Sequence, residues 1–355
     1  MQFEHSATQR WILGVDIGGT KIATLLVDAN AAVHSTLTLP TDISSPQATL
    51  DSIENAIHQT LRSAGVPLGS LSAIGLGIPG QVDSRTGVVK HAVNLRWHDV
   101  AAGELLSTRL GVPCFLENDV RAATLGVYRF YNRQSAHNLA YVSIGTGIAA
   151  GLIIEGELYR GSHNMAGEIG HIQVDVHGPR CACGGRGCLE TLAAGPAIAR
   201  MARERVAAGA GTSLSSVAGP LTARDVYAAA AQGDETARSI TGIAGTQLAR
   251  ALHMLIMAYD VECIVLGGGV AHAGAAFLQP VLDEWQARRD ESPLAQMMLK
   301  TDLLHLLPTT FHAGVWGAVA VATNGLPAIS FKHHAPSIAN VAFVPPIASE
   351  LGAAS

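Results

Sequence analysis

Apolar runs broken by glycine-bearing turns set the rhythm of this chain. Val15 to Ala23 reads VDIGGTKIA and Val142 to Ala150 reads VSIGTGIAA, each an apolar strand, a turn and a second apolar strand. Ile22 to Val27 continues the first segment as strand rather than helix. Leu139 to Ile154 is the longest uncharged apolar run. It is interrupted by Ser143, Gly145, Thr146, Gly147 and Gly151, and it falls short of the roughly 20 residues that cross a membrane. It reads as two buried strands joined by a turn. Matching turns predict a chain of two related halves. Further along, Cys263 to Leu266 reads as a strand leading through Gly267, Gly268 and Gly269 into a helix. In Val112 to Tyr128, VPCFLENDVRAATLGVY, a strand ends at Leu116 and a helix begins near Asp119.

Glycine in such turns lets backbone N–H groups approach an anion, so both turns suit phosphate, although either alone reads more simply as a plain hairpin. The first is not a Walker loop, because GGTK leads into a strand and the GxxxxGK[ST] spacing is absent. Asp16, beside Gly18, Gly19, Thr20 and Lys21, could hold Mg²⁺ through water, and Lys21 could neutralise phosphate; capping or surface roles are the alternatives. Gly267 to Gly269 could present N–H groups to a nucleotide or simply form a tight turn. A carboxylate at the junction of strand and helix lies where α/β sheets bind ligands, so Asp119 is a candidate base; Asn118 or Asp119 could instead cap the helix. Asn94, in the NLRW loop that follows Ile78, Pro79 and Gly80, offers the donor and acceptor that a sugar hydroxyl needs.

Composition narrows the classes. The 355 residues suggest about two domains, 48% apolar residues supply a large core, and 23 Lys and Arg against 28 Asp and Glu give a net charge of -5. There is no basic footprint for nucleic acid and no membrane segment, so the expected partners are small molecules. The first ten residues lack the apolar stretch of a secretory signal, which makes the cytoplasm the expected compartment. A homo-oligomer, dimer or tetramer, is the expected assembly.

Cys181 to Glu190 reads CACGGRGCLE, and His171 stands upstream in GEIGH. Three thiolates and one imidazole make a closed tetrahedral zinc site, and the intervening glycines allow the tight fold, so His171, Cys181, Cys183 and Cys188 are the proposed ligands of a structural Zn²⁺. A disulfide is the competing reading; the short spacing of Cys181 and Cys183 and the odd total of five cysteines weigh against it. Glu168 and Glu190 lie within three residues of ligands, and a rigid loop carrying them could accept hydrogen bonds from a polyol or merely support the metal.

Taken in order, DIGGTK, GIPG, NLRW, END, IGTG, GEIGH, CxCGxxGCxE and LGGG resemble the ROK family (repressor, open reading frame, kinase) over roughly residues 12 to 325. The resemblance implies an α/β fold of the actin and hexokinase type, with two ribonuclease H-like domains flanking a cleft. It places one lobe at 1–120, with 311–325 and the helix-like Ala313 to Asn324 returning to it, a second lobe carrying the zinc loop at 121–310, and a tail at 326–355. It implies ATP-dependent transfer of the γ-phosphoryl group to the 6-hydroxyl of a hexose, glucose first, with N-acetylmannosamine, N-acetylglucosamine or fructose as alternatives. Asp119 matches the base. Asn94, Asn118, Glu168, His171 and Glu190 match sugar contacts, the GGTK turn and Gly145, Thr146 and Gly147 match phosphate clamps, and Gly267 to Gly269 match the adenosine side of ATP. A sugar-sensing regulator of the same family is the remote alternative, because only about ten residues precede the first strand and a helix-turn-helix module needs more. The family often reads Ala-Asn-Ala-Ala after END, whereas this chain has Val120, Arg121, Ala122 and Ala123. Arg121 is expected to face solvent.

Overall fold

A computed structural model describes residues 10–132 and 135–326. The first nine residues and the proline-bearing tail expected beyond Leu326 lie outside the described residues. In chain order, β1 (Trp11–Ile17), β2 (Lys21–Asp28) and β3 (Val33–Pro40) precede α1 (Pro46–Ala64). Then come β4 (Leu71–Ile78), β5 (Gln81–Asp83), β6 (Val88–Ala92), β7 (Trp97–Val100), α2 (Ala102–Leu110), β8 (Cys114–Asn118) and α3 (Asp119–Gly126). The strands β9 (Leu139–Ile144), β10 (Ile148–Ile154) and β11 (Glu157–Tyr159) are followed by α4 (Glu190–Ala193), α5 (Gly195–Ala207), α6 (Ala223–Ala231) and α7 (Glu235–Tyr259). The described chain closes with β12 (Cys263–Gly267), α8 (Ala275–Glu291), α9 (Pro293–Met298), β13 (Leu304–Leu306) and α10 (Ala313–Asn324).

The two halves suggested by the glycine turns appear as two five-stranded sheets with one connectivity, β3-β2-β1-β4-β8 and β11-β10-β9-β12-β13. In the first, β1 is antiparallel to β2 and parallel to β4, and β4 is parallel to β8. In the second, β10 is antiparallel to β11 and β12 is parallel to both β9 and β13. Each sheet therefore opens with strands joined by short turns and ends with parallel strands reached by crossovers. A small antiparallel sheet, β5-β6-β7, is hydrogen-bonded to neither and packs through β5 against β8.

Local sequence explains the helices that cover the first sheet. Ser45 caps α1 by accepting from the Ala48 N–H, Pro46 occupies its first turn, and Gly65 closes it at φ 67°. Leu50, Ile53, Ile57 and Leu61 recur at helical spacing and form its buried stripe. Thr60 of α1 and Thr24 of β2, both buried, satisfy each other at 2.6 Å.

Helix α10 packs on β1, β4 and α3 without room for side chains at the crossings. A Cβ on Gly75 would stand 1.8 Å from the Ala318 carbonyl oxygen, and one on Gly317 would stand 2.1 Å from that of Ala122. Backbone meets backbone there. By contacts, residues 10–132, 151–166 and 311–326 form one compact unit, and residues 136–150 and 167–310 form the other. The division expected at residues 120 and 121 falls instead inside α3, whose Ala122, Ala123 and Leu125 are buried and whose contacts with α10 hold it to the first unit. The segment 151–166 also returns to that unit, which the sequence reading missed.

Candidate active site and metal-binding loop

In the first unit, register places Asp16 of β1 opposite Gly77 of β4 and Gly77 opposite Glu117 of β8. Asn118 and Asp119 follow at once, so the predicted acidic groups collect at the carboxyl ends of parallel strands. Gly77 lies between them: a Cβ there would be 3.6 Å from Asp16 Oδ1 and 3.7 Å from the Asp119 Cα. Burial and the neighbouring Asp119 push the Asp16 carboxyl up, and Lys21 only partly offsets them. A Cβ on Gly314 would fall 2.2 Å from Asp16 Oδ2, so the carboxylate rests against the first turn of α10.

The GGTK segment closes a two-residue hairpin, Gly18 N–H donating to Lys21 C=O at 2.9 Å. Thr41 Oγ steadies it by donating to the Gly18 carbonyl at 2.8 Å. Asn94 lies on the same turn, its carbonyl oxygen 2.9 Å from where a Gly19 Cβ would stand. Asp16, Gly18, Gly19, Thr20, Lys21, Asn94, Asn118 and Asp119 thus belong to one unit.

The capping alternative at the END segment resolves into two jobs on adjacent residues. Asn118 caps α3, its Oδ1 accepting from the Val120 and Arg121 N–H groups at 3.1 Å each. Its amide nitrogen donates to the Gly80 carbonyl at 3.0 Å and to Asp119 Oδ1 at 2.9 Å. Asp119 is therefore oriented from behind. Its pKa is raised by burial, against the opposing pull of the Val120 N–H, Arg121 and Asn118.

Arg121 does not face solvent. Its side chain is 3% exposed and pairs through Nε with Glu117 Oε1 at 2.8 Å, while Arg160 Nε reaches Glu117 Oε2 at 2.7 Å. The four-residue spacing of Glu117 and Arg121 places both on one side of the strand-to-helix junction, where a buried carboxylate needs a cation. Glu117 lay inside the END motif without an assigned role, and Arg160 carried no motif signal.

In the second unit, the β9–β10 turn is closed by the Gly145 N–H donating to Gly147 C=O at 2.9 Å. The Gly195 N–H at the head of α5 donates to Gly145 C=O at 2.9 Å, and Glu190 Oε2 accepts from the Ile148 N–H at 3.2 Å. That oxygen is so close that a Cβ on Gly147 would stand 2.5 Å from it. The glycine triplet after β12 joins the same corner: Val270 N–H donates to Ile144 C=O at 3.0 Å, and Gly268, at φ 87°, has its Cα over the end of β9. A 3-10 turn, Ala271–Ala273, separates the triplet from α8, so no α-helix starts directly at Gly269. Gly145, Thr146, Gly147, Gly267, Gly268 and Gly269 nevertheless converge, and Glu190 belongs to their surroundings.

The GEIGH segment crosses β10, with the Ala150 N–H donating to Gly167 C=O at 2.8 Å, and Glu168 leads the 3-10 turn that carries His171. The ligand atoms of His171, Cys181, Cys183 and Cys188 all lie within 4.8 Å of one another. Cys181 Sγ is 3.7 Å from His171 Nδ1, and Cys183 Sγ is 3.7 Å from Cys188 Sγ. Tetrahedral bonds of about 2.3 Å to thiolate sulfur imply edges near that length, so this donor set fits zinc. The cysteines are free thiols rather than a disulfide. Gly187, at φ 65° with a would-be Cβ 1.5 Å from the Asp175 carbonyl oxygen, permits the loop to double back.

A glucokinase of Halalkalibacterium halodurans is 34% identical over 285 residues, covering 79% of this chain and 86% of the relative. A crystal structure of a ROK family glucokinase from Streptomyces griseus in complex with glucose and AMPPNP superposes with a TM-score of 0.73 at 29% identity, covering 89% of this chain and 100% of that one. A ROK family transcriptional regulator, homologous to the E. coli MLC protein, superposes at 0.76 with 27% identity, covering 88% of this chain and 77% of that one. The ROK family profile matches residues 12–324, and with it the chain belongs to the ROK family, sharing the two-domain α/β fold of the actin and hexokinase type.

Proposed function

We propose that this chain is an ATP-dependent hexose kinase that transfers the γ-phosphoryl group of MgATP to the 6-hydroxyl of glucose. The observation that carries the reading is Asp119, a largely buried carboxylate held at the head of α3 by Asn118 and set beside Asp16. In the proposal Asp119 accepts the proton of the attacking hydroxyl and Asn118, while orienting it, contacts the sugar. Asn94, Glu168, His171 and Glu190 read further hydroxyls. Asp16 would hold Mg²⁺ beside the phosphates, the turns at Gly18–Lys21 and Gly145–Gly147 would cradle them with backbone N–H groups, and Gly267–Gly269 would take the adenosine side. Because phosphoryl transfer passes through a loose transition state, positioning and charge stabilisation supply most of the rate.

His171, Cys181, Cys183 and Cys188 would hold Zn²⁺, whose contribution is to fix the loop rather than to act as a Lewis acid, since four protein ligands leave no open position. With His171 Nδ1 turned to Cys181 Sγ, its Nε2 stays available to a sugar hydroxyl. The test is a panel of glucose, N-acetylmannosamine, N-acetylglucosamine and fructose with MgATP, read by ADP release. Glucose should give the highest kcat/KM, and an amino sugar or fructose in its place would reassign the substrate. Asp119→Asn should lower kcat at least about a thousandfold with glucose affinity by calorimetry nearly unchanged, as removal of a base requires. Turnover near that of the unaltered protein would reject Asp119.

A further inference from the structure

Glu117 is 1% exposed, yet it carries its charge: burial alone would protonate it, and the two guanidiniums beside it pull its pKa below the usual carboxylate range. Every lone pair has a use. Oε1 accepts from Arg121 Nε and from the Asn118 N–H at 2.9 Å, and Oε2 accepts from Arg160 Nε and from Ser84 Oγ at 3.1 Å. Arg121 also reaches backbone, Nη1 donating to the Asn164 carbonyl at 2.8 Å and Nη2 to that of Val82 at 3.4 Å. A buried ion network of this kind is weak evidence for stability, because apolar residues of equal volume often fold as well. Placement is what it supplies. Glu117 directly precedes Asn118 and Asp119, Arg121 sits in the first turn of α3, and residues 160–164 lead into Gly167 and Glu168.

We propose that Arg121 is a positioning residue for phosphoryl transfer, which together with Glu117 and Arg160 locks the Asp119 head of α3 to the 160–164 segment. The proposal rests on Asp119 as the base. Geometry alone requires the guanidinium fork: one end holds a carboxylate and the other a carbonyl, which a lysine ammonium cannot span at once. Charge adds a second effect. The groups around Asp119 are Asp16 on β1, Lys21 on β2 acting on Asp16, Asn118 and the neutralised Glu117 on β8, Arg121 on α3, and the uncharged Gly314 of α10 against Asp16. Arg121 is the cation that opposes burial of the Asp119 carboxylate. Without it the base would be protonated more readily, and the acid limb of the pH–rate profile would move to higher pH.

Arg121→Asn, Arg121→Lys, Arg160→Met and Asp119→Asn, each in the full chain, test this with glucose and MgATP. For Arg121→Asn, kcat should fall about tenfold or more and the acid limb of kcat/KM should rise by about half a pH unit or more. For Arg121→Lys the acid limb should stay while KM for glucose rises at least about threefold. Arg160 is 39% exposed, so Arg160→Met should fold and raise KM for glucose with little change in melting temperature; it carries the test if Arg121→Asn fails to fold. A folded Arg121→Asn protein with unaltered kcat, KM and acid limb overturns the proposal, as does unaltered KM in Arg160→Met. So does a loss of rate that merely tracks the unfolded fraction with the acid limb unmoved. If Asp119→Asn is inactive while the Arg121 variants behave as the parent, this proposal alone falls; if Asp119→Asn is active, the base assignment falls with it.

Discussion

Asp16, one residue before the end of β1, has its carboxylate among Gly77, Gly314 and Asp119, and its pKa rises from 3.8 to about 7. The folded chain therefore binds this proton more tightly than the unfolded chain does. The associated stability is complete below about pH 4 and is lost as pH rises through about 7. Asp16→Asn removes that loss, so at pH 8 it should stabilise the ligand-free protein by about 2 kcal/mol, read from urea midpoints, while turnover collapses. A stability unchanged at pH 8 would contradict the burial of an ionised Asp16. In the proposed role of Asp16 the same proton would compete with Mg²⁺, so KM for MgATP should climb as pH falls below about 7 and stay flat above it.

At the scale of elements, α10 shows how backbone packing determines residue choice. Gly75 of β4 receives α10 at a separation no side chain tolerates, and α10 also crosses α3 through Gly317. Gly75→Ala must push helix and sheet apart, and about 3 kcal/mol or more of stability should be lost in chemical denaturation. An ordinary surface-like cost below 0.5 kcal/mol would mean that the crossing yields freely. Short α4 acts differently: its Glu190 accepts from the Ile148 N–H, and the next helix binds the Gly145 carbonyl through Gly195. Glu190→Ala frees that turn, so KM for ATP as well as for glucose should rise, by up to about thirtyfold if a charge-assisted hydrogen bond of about 2 kcal/mol is lost in full.

For the molecule as a whole, the metal loop offers the plainest test. Cys183→Ser should reduce zinc content from about one atom per chain, as measured by elemental analysis, weaken glucose binding and expose residues 175–188 to limited proteolysis. Equal zinc content in the variant would remove Cys183 from the ligand set. The His171, Cys181, Cys183 and Cys188 cluster, both glycine hairpins and the strand-to-helix junction near Asp119 were legible in the sequence because each is encoded by short-range spacing and turn chemistry. Local patterns could not reveal that Arg121 is buried, since its partners Glu117, Arg160 and the Asn164 carbonyl meet only after 160–164 folds back onto β8 and α3. Nor could they reveal the extent of each unit, because the grouping of 151–166 depends on long-range packing rather than on local pattern. The sequence by itself determined the turns, the grouping of His171 with the three cysteines and the acidic strand-to-helix junction. Only the tertiary structure, by fixing strand order and with it which strand ends stand side by side, decided that Asp16 would neighbour Asp119 and that a cation would be buried behind Asp119.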